Sequence, residues 1–201
     1  MEHSLILPKS LVGALEVKSD GEFITELNFA KDKFENFSLS EDAEFASQKK
    51  DKDKMYYIFN LPSSKTQLEN SRQDFLNMPD PLIKAFKWLS LYFLGEIPQS
   101  MPPLKVSGTA FQLEVYGELL KIPYGKTASY GELAKNIAKK RNGRMSARAV
   151  GGAAGSNPIP IFIPCHRLIG ADGSLTGFSS GLDIKIKLLQ LEKDGLSKKT
   201  V

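Results

Sequence analysis

Cysteine is almost absent from this 201-residue chain, and the single thiol, Cys165, excludes an internal disulfide framework. Histidine is nearly as scarce. His3 and His166 beside one cysteine are too few for a structural Cys/His zinc site, so neither metal nor cofactor is expected. No apolar run approaches the roughly 18–20 residues of a membrane span, and no membrane partner is expected. The segment Met-Glu-His-Ser-Leu-Ile-Leu-Pro has neither a basic start nor a long apolar stretch, so it carries no export signal. A cytoplasmic location is expected for a bacterial source and a nuclear one for a eukaryotic source. The rest is ordinary for a folded chain. A 41% hydrophobic and 25% charged composition excludes wholesale disorder, and the length suits one large domain or two small ones.

The formal charge of +4 conceals a division. Residues 1–104 carry 12 Lys and Arg against 16 Asp and Glu, whereas residues 105–201 carry 15 against 7. A basic second half points to an anionic partner, with nucleic acid the leading candidate and a solvated lysine-rich surface the plain alternative.

Local patterns divide the chain at the same place. Leu11–Val17 and Phe23–Phe29 are β-rich runs around a turn containing Ser19-Asp20-Gly21, which reads as a hairpin. The charged run at residues 49–54 reads as a solvated loop before a strand over Met55–Leu61. Asp80 before Pro81 predicts a capped helix start. Leu82, Ile83, Phe86, Leu89, Phe93 and Leu94 then recur at helical spacing, with Trp88 packing beside them, until about Gly95. Pro98, Pro102 and Pro103 mark a linker, giving domains 1–104 and 105–201. In the second, Thr109 with Gln112 and Ser129 with Glu132 are capping boxes. A basic loop, residues 139–144, leads to a third helix capped by Ser146. Two short helices joined by a turn are compatible with a DNA-binding helix-turn-helix, although many bundles share that pattern.

That third helix has almost no side-chain bulk: Ala147, Ala149, Gly151, Gly152, Ala153, Ala154 and Gly155 surround one charge, Arg148. Glycine costs roughly 1 kcal/mol relative to alanine inside a helix, so the pair Gly151-Gly152 implies close approach of another backbone, protein or nucleic acid. Downstream, an apolar run containing Pro160 delivers Cys165 between Pro164 and His166-Arg167. A thiol becomes a nucleophile when a base or cation favours its thiolate, although a lone buried cysteine is more often an inert small hydrophobe.

The longer pattern resembles the O6-alkylguanine-DNA alkyltransferases, the methylated-DNA–protein-cysteine methyltransferases. Residues 108–195 carry the likeness, in Gly108-Thr109-Ala110-Phe111-Gln112, Ile122-Pro123-Tyr124-Gly125, Ser129-Tyr130, Ala147-Arg148-Ala149-Val150-Gly151 and Asn157 through Leu168. It continues through Leu175–Ser179 and Leu188–Glu192. Residues 1–104 match only loosely.

The resemblance implies an α/β (α+β) protein. A ribonuclease-H-like N-terminal domain would precede a mainly helical, winged-helix-like domain with a helix-turn-helix. It also implies suicidal repair, with one alkyl group moved irreversibly from guanine O6 (or thymine O4) in DNA to Cys165. His166, oriented by Glu192, would take the thiol proton through a bridging water. Tyr130 would donate to guanine N3, the backbone N–H groups of Leu168 and Ser179 would support O6, and Asn157 would hold the turn before an active-site strand. Arg167 would be structural. Arg148 would fill the gap left by an extruded base while the small-residue helix, Ala154 included, lies in the minor groove of double-stranded DNA. Phe178 would form an aromatic wall of the substrate pocket, and Pro160 would be a further substrate- or DNA-binding residue. Two positions depart from the family pattern: Phe178 stands where tyrosine is common, and Ser180 where many relatives have glycine. A monomer is expected. The alternatives are a non-catalytic protein that binds alkylated DNA, which would not need the acceptor thiol, a cysteine hydrolase, for which no oxyanion hole is marked, and a helix-turn-helix regulator.

Overall fold

A computed structural model describes residues 2–30, 47–51, 54–70, 75 and 77–198. The chain is mixed α/β and divides into two compact units, Met1–Lys105 and Val106–Val201. In the first, five strands form one sheet: β1 (Glu2–Leu7), β2 (Leu15–Ser19), β3 (Ile24–Phe29), β4 (Ser47–Asp51) and β5 (Lys54–Ile58). Their order is β3-β2-β1-β5-β4, with β1 and β5 parallel and the other neighbours antiparallel. Leu5, Leu7, Leu15, Val17 and Leu27 are buried, giving the sheet an apolar interior. After the short α1 (Lys65–Asn70), helix α2 (Asp80–Phe93) packs on this sheet. Phe86 of α2 meets Phe59 and Phe75, with ring centroids 5.0 and 5.5 Å apart, and Trp88 stacks on Tyr92.

Several sequence expectations shift here. The hairpin exists as β2–β3, but its first arm starts at Leu15, because the residues before it form a turn in which Ser10 Oγ donates to Gly13 O. Lys49, Lys50 and Asp51 are not loop: they belong to β4, an edge strand, where charge discourages pairing with another chain. Residues 52 and 53 of that run lie outside the described residues. Strand β5 ends at Ile58 rather than Leu61. Asp80 is not the helix cap. Extended Pro79 occupies that position without a side-chain cap, and Asp80 enters the first turn, paired with Lys84. The apolar face of α2 is also rotated from expectation: Leu82, Ala85, Phe86, Leu89 and Tyr92 are buried, while Ile83, Phe93 and Leu94 are half-buried. The proline-rich stretch ends against the sheet, where Ile24 N–H donates to Pro103 O and Lys105 N–H to Ile24 O.

The second unit contains α3 (Ala110–Leu119), β6 (Ala128–Ser129), α4 (Tyr130–Lys140), α5 (Ala147–Gly155), β7 (Leu168–Ile169) and α6 (Leu182–Ser197). Both capping boxes form. Thr109 and Gln112 exchange side-chain and backbone hydrogen bonds at the start of α3, and Ser129 and Glu132 do so at α4. Ser146 Oγ accepts the Ala149 N–H at the start of α5. Strands β6 and β7 pair in parallel, which sets Tyr130, the first residue of α4, beside the segment that follows the cysteine.

Candidate active site

The approach to Cys165 is a compact buried loop and not the expected strand. Asn157, just past α5, controls it with one side chain. Its Oδ1 accepts the Ile159 N–H at 3.0 Å, and its Nδ2 donates to Ile163 O at 2.8 Å and reaches Cys165 Sγ at 3.2 Å. Ile163 N–H turns back to Ile159 O, and Ile161 takes a φ of 73°, a strained conformation for a β-branched residue. Such outliers gather where a site dictates the backbone. Cys165, His166 and Arg167 then form a single 3-10 turn, whose closing bond runs from Leu168 N–H to Cys165 O. In this conformation the Leu168 N–H is committed to that carbonyl.

Behind the thiol lies a buried charge cluster. His166 Nε2 is 2.8 Å from Glu192 Oε1, with both side chains fully buried. The same carboxylate receives Arg167 Nε and Nη2 at 2.8–3.1 Å and the Gly125 N–H at 2.8 Å. Arg167 Nη1 donates to Ile122 O at 2.7 Å, so the arginine acts as a brace between α6 and the turn after α3. Position 125 suits glycine chiefly through its backbone angle, and any side chain there would also force Leu196 to move. Its φ is +70°, and a Cβ there would lie 2.2 Å from the Leu196 side chain.

Burial alone would raise the Glu192 carboxyl, but hydrogen bonds from His166 and Arg167 together outweigh it and hold the group at about 2. Burial pushes His166 below its ordinary value against the pull of Glu192, favouring a neutral ring. With the carboxylate ionised, its hydrogen-bonded Nε2 carries the ring proton and Nδ1 is the basic nitrogen. Burial also pushes the Cys165 thiol up, opposed by the Asn157 hydrogen bond and the positive charge of Lys185. The resting pair is therefore a protonated thiol next to a neutral imidazole, an arrangement in which a base must act before sulfur becomes a nucleophile.

A cavity of about 590 Å³ opens in front. Tyr130, Arg148, Phe178 and Ser179 lie on its wall, with Ala147, Gly151 and Gly155 of α5 and Thr176-Gly177 of the facing loop. Four of the residues singled out from the sequence thus meet at one surface. Cys165, His166, Leu168, Pro160, Ala154 and Glu192 are buried and do not line it, and Asn157 is half-buried. Tyr130 Oη lies 2.9 Å from Thr176 O and 3.0 Å from Gly177 O, so its proton is engaged by the loop at rest. Burial and the nearby Cys165 sulfur raise its pKa.

One residue escaped the sequence reading. Lys185 of α6 is fully buried, yet among the described residues no carboxylate pairs with its ammonium. Its Nζ donates to Leu168 O and, at 2.7 Å, to Thr176 O, and lies 5.8 Å from the Tyr130 ring centroid. Burial lowers its pKa, while the Cys165 sulfur opposes that shift. Its signal was helical spacing, since Lys185, Leu188, Glu192 and Gly195 share the buried face of α6.

Residues 110–194 match the DNA-binding domain of the 6-O-methylguanine DNA methyltransferases. A methylated-DNA–protein-cysteine methyltransferase of Haemophilus influenzae is 40% identical over 185 residues, 92% of this chain and 83% of the relative. The chain belongs to that family. A second methyltransferase, from Methanosarcina acetivorans, is 50% identical over 109 residues, 54% of this chain and 67% of its own. Among solved structures, Mycobacterium tuberculosis OGT in complex with DNA superposes with a TM-score of 0.64 at 32% identity, covering 96% of this chain and 94% of its own. Within this chain, the Asn157–Cys165 contact and the His166–Glu192 pair are the interactions that bear most directly on the thiol and its neighbour.

Proposed function

We propose that this protein repairs DNA by transferring the alkyl group of O6-alkylguanine to Cys165, one group per protein molecule. The observation that carries the reading is the hydrogen bond between His166 and the buried Glu192 carboxylate, together with the Asn157 contact that holds the Cys165 sulfur; burial favours a neutral ring and a protonated thiol there. His166 Nδ1 takes the thiol proton, through a bridging water. Sulfur then attacks the alkyl carbon, the carbon–O6 bond breaks, and its electron pair remains on the guanine. Tyr130 leaves the Thr176 and Gly177 carbonyls to donate to N3, offsetting the charge that develops on the leaving base, and the Ser179 N–H supports O6. A thioether has no good leaving group and the chain offers no second thiol, so turnover stops after one event.

The carrier of the base is double-stranded DNA, bound by a monomer in the minor groove. Gly152 and Gly155 support this geometry, since a Cβ at either would meet nothing within 4 Å, and a backbone can therefore come close to α5 there. The target base turns out of the stack into the cavity, with Arg148 taking its place. Helices α4 and α5 act as a helix-turn-helix within a winged-helix-like unit, and the sheet of the first unit is of the ribonuclease-H type. The protein works in the cytoplasm if its source is bacterial. Intact-mass analysis after exposure to a duplex containing O6-methylguanine tests the reading. A gain of one methylene mass, mapped to Cys165, is expected. Unchanged mass with retained binding would select a damage-binding protein instead.

A further inference from the structure

The connection between α4 and α5 carries four cations in six residues, Lys139, Lys140, Arg141 and Arg144, and the active site uses none of them. The structure divides them by partner. Lys140 is paired with the buried carboxylate of Glu118, which also holds Lys121. Arg141 Nε donates to Glu114 Oε2 at 2.6 Å, and its guanidinium lies 5.3 Å from the Phe111 ring centroid. Glu114, Glu118 and Phe111 all belong to α3, so these two cations fasten the end of α4 to a neighbouring helix. Lys139 and Arg144 are exposed and make no ion pair among the described residues.

The backbone between them is ordered by its own hydrogen bonds. Gly143 N–H donates to Ala138 O at 3.0 Å and Asn142 N–H to Lys139 O at 3.4 Å, while Asn142 takes a φ of 48°. This is the Schellman closure of a helix, with asparagine accepting the left-handed position. The chain then runs directly into the Ser146 cap and into α5, where Arg148 borders the cavity.

We infer that Lys139 and Arg144 grip the phosphate backbone of duplex DNA next to α5, with Lys140 and Arg141 holding the turn that presents them. The inference rests on the DNA-binding part of the proposed function, though not on alkyl transfer. Cations already neutralised by protein carboxylates release few DNA counterions on binding, whereas unpaired ones release their full share. A turn fixed before binding also loses little conformational freedom when phosphates engage it. Such contacts position the protein and carry no sequence preference, which suits a repair protein that meets its target in any sequence.

The test is the affinity of the full chain for an unmodified duplex across a salt series. Lys139→Gln with Arg144→Gln should lower the slope of log affinity against log salt by about 1.8, since each phosphate contact contributes about 0.9. The charge-preserving pair Lys139→Arg with Arg144→Lys should keep the parent slope. Arg141→Gln should keep the slope as well, but lower the melting temperature. An unchanged slope in the neutralised pair overturns the inference, as does a loss with Arg141→Gln as large as that of either grip residue. If the parent protein binds no duplex, the DNA reading and this inference fall together. If it binds with the expected slope changes but takes up no alkyl group, the inference stands and the transfer reading fails.

Discussion

The two units solve opposite problems. The first fills its interior with aliphatic and aromatic side chains, and among the described residues its buried polar ones are three serines, Ser4, Ser19 and Ser90, and a single carboxylate, Glu16. The second buries Glu118, His166, Arg167, Lys185 and Glu192. Taking charges out of water costs several kcal/mol per ion, and well-packed apolar residues often stabilise as much as a buried ion pair or more. The first unit's interior follows stability, whereas the second accepts a costly interior that, in the proposed reaction, gives the thiol a base and that base an anchored carboxylate.

The most drastic way to sharpen this contrast is to remove the acceptor. Cys165→Ser should abolish alkyl transfer in a single-turnover assay and leave duplex binding near the parent value, because the buried thiol adds almost nothing to a binding surface. Next in size, His166→Ala should slow transfer by on the order of 10²–10⁴-fold, the usual contribution of a general base. Glu192→Gln should slow transfer too, and should also destabilise the second unit by about 3–5 kcal/mol by stranding Arg167 in the interior. A parent rate in either variant would break the activation scheme.

In the first unit Leu89→Ala should cost about 2–5 kcal/mol by denaturant titration, with the transfer rate of the folded protein unchanged. A slowed rate would erase the division between the units. Acid separates them by another route. As pH falls below 6.5, the unfolded chain takes up a proton that buried His166 resists. Below about 4.5 the same holds for Glu192, until its folded value of about 2 is reached. Both folded values are depressed, so this stability is present at neutral pH and lost on acidification. The Glu192 part alone is on the order of 3 kcal/mol. Hydrogen exchange should therefore show α6 opening before α2 as pH is lowered, and the reverse order would refute the assignment. The smallest effect concerns Arg148. Arg148→Lys should restore duplex affinity lost in Arg148→Ala, including the salt slope of about 0.9, yet leave duplex repair slow because lysine lacks a planar stacking surface. Full recovery of the duplex rate would point to simple electrostatics.

Legibility followed the range of each interaction. Thr109 with Gln112, Ser129 with Glu132, and Ser146 were readable because a helix cap is complete within four residues. Strand β1 went unread: its parallel partner β5 begins about fifty residues later, and nothing local in Glu2–Leu7 announces the pairing. The charges of Lys49 to Asp51 suggested a loop, whereas these residues form a strand. In the site, a resemblance was needed to pair His166 with Glu192, since 26 residues separate them. Lys185 stayed hidden because a lysine in a helix with Lys187 and Lys193 nearby reads as surface.

The depth and resting protonation of Cys165 also govern how well the protein keeps. In the proposed single-use reaction the acceptor has to outlast the peroxides and electrophiles it meets before any lesion arrives, and those reagents attack thiolates. At 7% exposure, with burial holding the proton on sulfur, Cys165 is sheltered from them. On the proposed mechanism substrate and base must converge before the thiol reacts, so the burial that protects the idle sulfur also reserves it for one committed reaction.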